Sequence, residues 1–167
     1  MLVTIACSGP QPDPAPAPNP SPAPAPDSAP APAPPASQTL ATAEGRTPGL
    51  RAEVTELKRT SGGTLTLRFT LVNDSRQTVN VGDVQALLDL GGSYPVGGVH
   101  LIDAAGRKKY FVARDSENRC VCSEFTGLAP GERANHWAKF PAPPDEVQQI
   151  SVVLPTFSPM DDVPIGR

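Results

Sequence analysis

The chain has no run of the eighteen or so consecutive apolar residues that a membrane-spanning helix requires, so no such helix is expected. It has no lysine or arginine before Arg46, while Asp13, Asp27 and Glu44 lie before that point. Taking those three from the 17 acidic residues leaves 14, against 14 basic ones, so the remainder is formally neutral. A nucleic-acid partner, which would demand a basic stripe, is therefore not expected. Histidines number two, and there is no GxSxG, no HExxH and no recognisable frame of paired carboxylates. Nothing in the motifs points to an enzyme or to a cofactor.

Proline is present in excess and in one place. The 22 prolines crowd before Pro48 and thin out after it. Residues 10–35 alternate Pro with Ala, Asp, Asn or Ser; proline fixes φ and removes the backbone donor, so this stretch is expected to be solvated polyproline II. At roughly 3.1 Å per residue it would reach on the order of 80 Å, the span of a spacer. Docking to a polyproline-binding module is disfavoured, because charged or aromatic flanks are lacking beside the prolines. Residues 36–47 are expected to continue as an unstructured lead-in. The expected organisation is thus a short segment at 1–7, a disordered Pro/Ala-rich linker at 8–47 and one domain at 48–167.

That domain is arranged around TLTLRFTLVN at 64–73, where Leu65, Leu67, Phe69 and Leu71 alternate with Thr66, Arg68 and Thr70. A period of two gives a strand with one buried and one wet face. Before it, Leu50, Ala52 and Val54 alternate in a first strand, Leu57 returns to the core after an irregularity, and Ser61, Gly62 and Gly63 turn the hairpin. After it, Val79 and Val81 predict a short third strand. Residues 83–90 leave a short helix and an irregular strand both open. GGSYPVGG at 91–98 lacks the Lys-Ser or Lys-Thr of a phosphate loop and reads as a plain connection.

Val99 and Leu101, the turn at Asp103 to Gly106, and Tyr110, Phe111 and Val112 make a second hairpin. Arg107, Lys108 and Lys109 at its turn are expected to be solvated, with an anionic partner as the alternative. Residues 132–140 give a further strand with Ala134, Ala138 and Phe140 on one face. Trp137, on the other, is expected to plug a core poor in aromatics, the alternative being projection into a binding groove. Ile150, Val152 and Leu154 form the last core strand. Residues 157–165 are expected to lie as an extended tail on an edge, where prolines discourage further pairing.

Chemistry concentrates at the three cysteines. RCVCS at 119–123 holds Cys120 and Cys122, whose economical fate in an oxidising compartment is a mutual disulfide. Their Cα atoms would lie near the upper limit for a disulfide on an extended chain, so the backbone must kink or the bond be strained and more reducible. A structural clip is favoured over a redox role, because nothing resembles a CxxC opening a helix. A metal site combining Cys120, Cys122, His100 and His136 is disfavoured by the cysteine spacing and by the separation of the histidines, so no metal is expected.

Residues 1–7, MLVTIAC, are a short apolar run ending in a small residue and Cys7. Ile5, Ala6 and Cys7 resemble the last three positions of the lipobox of bacterial lipoproteins, although Thr4 replaces the usual Leu and most of a signal's apolar core is missing, as in a late start or a fragment. The resemblance implies acylation of Cys7, a lipid anchor in the membrane and a location in the cell envelope facing outside the cytoplasm.

The strands punctuated by turns between Leu50 and Leu154, with LRFTLVNDS leading into VNVG and then Asp103, Gly106 and Tyr110 in a later hairpin, resemble the immunoglobulin-like domains of secreted and lipid-anchored bacterial proteins. The resemblance implies an all-β, immunoglobulin-like antiparallel β-sandwich preceded by the proline-rich linker, and brings no catalytic residues with it. The expected function is a non-enzymatic, membrane-anchored binding or structural domain with a protein or cell-wall partner. The alternative is a thiol-redox or metal-handling lipoprotein centred on Cys120 and Cys122.

Overall fold

A computed structural model describes residues 38–89 and 93–167. Cys7 and the proline-rich stretch at 10–35 lie outside the described residues.

Strand β3 (Thr64–Asn73) is central to its sheet. Leu65, Leu67, Phe69 and Leu71 on one face are at most 1% exposed, as the two-residue period requires. Strand β2 (Leu50–Thr60) folds back on it through Ser61, Gly62 and Gly63. Both glycines are left-handed, at φ 79° and 66°, a conformation that side chains resist in so tight a hairpin. A β-bulge between Val54 and Glu56 resets the alternation, which is how Leu57 regains the core.

Two expectations need correction. The lead-in at 36–47 is not unstructured throughout: β1 (Ala41–Glu44) pairs antiparallel with β2, placing Ala43 opposite Ala52 in the core. Its residues are small or polar, so the strand is stabilised by its partner rather than by its own pattern. The expected third strand at Val79 and Val81 reduces to one bridge between Val79 and Leu128. There the chain enters a 3₁₀ helix, Val81–Leu87, which turns Val84 and Leu87 into the core. The Asp83 carboxylate accepts from the Asn80 N–H at 2.8 Å and so starts that turn.

The remaining strands are β4 (His100–Asp103), β5 (Lys108–Phe111), β6 (Arg133–Pro141), β7 (Gln149–Val153) and β8 (Met160–Pro164). One sheet runs β1-β2-β3-β6 and the other β5-β4-β7-β8, with every strand pair antiparallel. The chain leaves the first sheet after β3, makes the β4–β5 hairpin in the second, returns for β6 beside β3, and crosses again for β7 and β8. This is the Greek-key order of an immunoglobulin-like sandwich, the expected fold class. The tail at 157–165 does lie on an edge, as β8, with Pro164 in the strand and Asp162 at φ 55°.

Both sheets contribute to one apolar core, in which the largest fully buried side chains are Phe69, Phe125 and Phe140. Trp137 is not among the core residues: it sits half-buried on the outer face of β6, opposite Arg68. The residue that fills the core from this stretch is its neighbour His136, 5% exposed.

Candidate functional site

Cys120 and Cys122 lie at disulfide distance, with Cα atoms 5.4 Å apart. That is short of the roughly 6.6 Å of two extended residues, so the backbone contracts as the pairing needs. Their segment covers the open edge of the first sheet. Cys122 bridges antiparallel to Ala138, Lys139 N–H donates to the Val121 carbonyl at 3.0 Å, and Ser123 N–H donates to the Trp137 carbonyl at 2.9 Å. Ala113 N–H reaches the Lys139 carbonyl at 2.7 Å. Amides and carbonyls of β6 that would otherwise template another strand are thereby occupied.

The tip of this hairpin turns at Asp115, whose Oδ1 accepts the N–H groups of Glu117 and Arg119 at 2.9 Å each, while Asn118 takes φ 62°. The Arg119 backbone N–H foremost, and the Arg119 guanidinium with it, hold the Asp115 carboxyl below the usual range. Beside the cysteines lies an open cleft of about 540 Å³ lined by Asp89, Arg114, Asp115, Arg119 and Glu124 among others. Arg114 donates to Asp89 at 2.5 Å, and Arg119 pairs with Asp115 and Glu117. The guanidiniums that would favour a thiolate are thus already engaged by carboxylates, which suits a clip better than a nucleophile.

The structure does not bring the two histidines to the cysteines, and among the described residues no group of three or more His, Cys, Asp or Glu side chains is placed to hold a metal. His136 Nδ1 lies 3.2 Å from the Ser123 hydroxyl, and its Nε2 is buried without a partner. Its ring sits 5.5 Å from that of Phe69 and 6.0 Å from that of Phe125. Burial pushes its pKa down to about 4, so it is neutral near pH 7. His100, on the outer face of β4, donates from Nδ1 to the Gly98 carbonyl at 3.1 Å, and burial lowers its pKa also.

The outer faces of the two sheets differ in kind. On the first, Glu53 lies between Arg51 and Arg133, Arg51 also reaches Asp74, and Arg68 pairs with Glu56. Burial alone would raise the Glu53 carboxyl, but hydrogen bonds from Arg133 and Arg51 outweigh it and the net shift is downward. On the second, the register aligns Phe111, His100 and Val153 in one row and Lys109, Ile102 and Ser151 in the next. Phe111 is 62% exposed, and Lys109 Nζ lies 5.1 Å from its ring centroid.

Sequence reasoning read Phe111 only as the end of a strand. Lys109 and Phe111 share a face by alternation, a signal that was available. That the face is the outer one is set by the register with β4, where Phe111 lies opposite His100 and Lys109 opposite Ile102, and no local pattern records that. No family model matches this chain, and neither a curated protein nor a solved structure matches it.

Proposed function

We propose that this chain is a non-enzymatic, extracytoplasmic binding or structural domain, held at the cell envelope by a lipid on Cys7 with the proline-rich segment as its tether. The observation that carries the reading is the Cys120–Cys122 pair at disulfide distance, in a hairpin that caps β6. A paired thiol with a structural duty belongs to an oxidising compartment, and the lipobox-like IAC ending at Cys7 leads to the same side of the membrane. The sandwich supplies a rigid support whose loops, or an edge strand left uncovered, meet a protein or cell-wall partner.

Metabolic labelling with an alkyne-bearing palmitate tests the anchor. Label and membrane association are expected in the wild-type protein produced in its native host, and are lost in Cys7→Ser. A wild-type chain that takes no label refutes it. The thiol-redox alternative has one observation in its favour, the open cleft that gives a second thiol access to the pair. Intact mass with and without reductant separates the two: a disulfide that equilibrates with glutathione, or bound zinc or copper, favours the alternative.

A further inference from the structure

The four sheet edges are not equally protected. The edge of β6 is covered by residues 121–123. The edge strand β8 carries Pro164 and a register shift, two devices that spoil pairing. Strand β1 exposes only Thr42 and Glu44. Strand β5 pairs with β4 on one side, and among the described residues no backbone hydrogen bond joins Lys108–Phe111 to any other segment. Arg107, Lys108 and Lys109 take part in no ion pair among the described residues; Arg46, Lys58, Arg76, Lys139 and Arg167 take part in none either, but only the first three are consecutive in the chain. In a folded part with 15 acidic and 14 basic residues, these three consecutive cations lie beside the most exposed large apolar side chain of the described residues, Phe111.

The geometry points to β5 as a docking strand for an extended acidic segment of another protein. The segment adds to the β5 edge by main-chain hydrogen bonds, lays its alternate apolar side chains beside Phe111 and the Lys109 stem on the outer face, and turns its carboxylates to the other face, towards Lys108. Lysines on an edge discourage a second copy of this chain, because two such edges repel, but they favour an acidic partner. Phe111 supplies the apolar contact that gives a short pairing its hold. The inference rests on the binding-domain reading above and is tested apart from it, since peptide binding is measured whether or not Cys7 is acylated.

The probe is a capped eight-residue peptide alternating Glu and Val, titrated against the full chain by calorimetry. Three controls accompany it: the same peptide with Lys for Glu, the same peptide with alternate residues replaced by Pro to remove main-chain donors, and vesicles of phosphatidylglycerol. Binding is expected for the Glu-Val peptide alone, weakened about tenfold or more by Phe111→Ser and similarly by Lys108→Glu with Lys109→Glu, and weakened by added salt. All three side chains are exposed, so unchanged melting curves are expected to show the variants folded. Absence of peptide binding, equal binding of the Lys or Pro peptide, indifference to Phe111→Ser, or binding to vesicles in place of the peptide each overturns the inference. Loss of Cys7 labelling with peptide binding intact would remove the anchor and leave this surface standing.

Discussion

Burial between Phe69 and Phe125 holds the His136 imidazole at a pKa of about 4, against 6.5 when free. Among the described residues its one hydrogen-bond partner is the Ser123 hydroxyl, and no carboxylate there compensates a charge. Above pH 6.5 the ring is neutral in both the folded and unfolded chain and has no effect on the pH dependence. As pH falls from 6.5 towards 4 the unfolded chain takes up a proton that the folded one refuses, so stability is lost across that window. At about 1.4 kcal/mol per unit, the loss is about 3 kcal/mol. Urea unfolding of wild type and His136→Leu at pH 7 and pH 4.5 checks this: the variant is expected to lack most of that increment, and parallel pH profiles would refute it. The sequence reading assigned the core-filling place to Trp137 although alternation set it on the face opposite Ala138 and Phe140, because bulk was weighed above register; His136 lies on the Ala138 face and takes that place. Asn73 was legible only as a turn residue. In the fold its Nδ2 donates to the carbonyls of Gln77, Leu128 and Ala129 at 2.7, 3.0 and 3.1 Å, joining segments 55 residues apart in the chain, and no local signal encodes that.

Among the elements, those with strong two-residue alternation were readable in place: β2, β3, β6 and β7 each carry their own pattern, and even the bulge before Leu57 shows in the sequence. Strand β1 was not, because ATAE lacks a hydrophobic period and is recruited by β2. The hairpin at 113–123 was seen as a disulfide and not as an edge cap, since pairing with β6 is a tertiary fact. Its contribution is local. In the chain-entropy account a ring closed over so few residues stabilises by only about 1.5 kcal/mol, so the double variant Cys120→Ser, Cys122→Ser is expected to fold and to melt only slightly lower. What should change is exchange at the covered edge: the Ser123 and Lys139 amides, both bonded across the cap, are expected to exchange at least several-fold faster by native-state hydrogen exchange. Unaltered protection at both would mean that the cap holds without the bond and that the cysteines serve another end.

At the scale of the molecule, the apolar sandwich is joined across its two sheets by side chains and by chain crossings. Arg59 on β2 donates to the carbonyls of Pro143, Pro144 and Val147 at 2.6, 2.8 and 3.0 Å, fixing the crossing from β6 to β7. The C-terminal residues do the same from the other direction. After β8 in the second sheet, Ile165 is buried in the core and its N–H donates to the Gln148 carbonyl at 2.8 Å. Gly166 then forms a parallel bridge with Lys58 of the first sheet: its N–H reaches the Leu57 carbonyl at 2.8 Å, and its carbonyl accepts from Arg59 N–H at 2.9 Å. This pairing occupies the β2 edge past the point where β1 stops, the place where the bulge has turned the strand. Deleting residues 165–167 removes one buried aliphatic side chain and exposes that edge, for a loss of about 3 kcal/mol. For a domain of this size the melting temperature is expected to fall by about 10 °C. Ile165→Ala in the full chain, which keeps the Gly166 bridge, should lose less than the deletion. If deletion and point variant melt together, Ile165 carries the whole effect and the bridge to β2 adds nothing to the joining of the sheets.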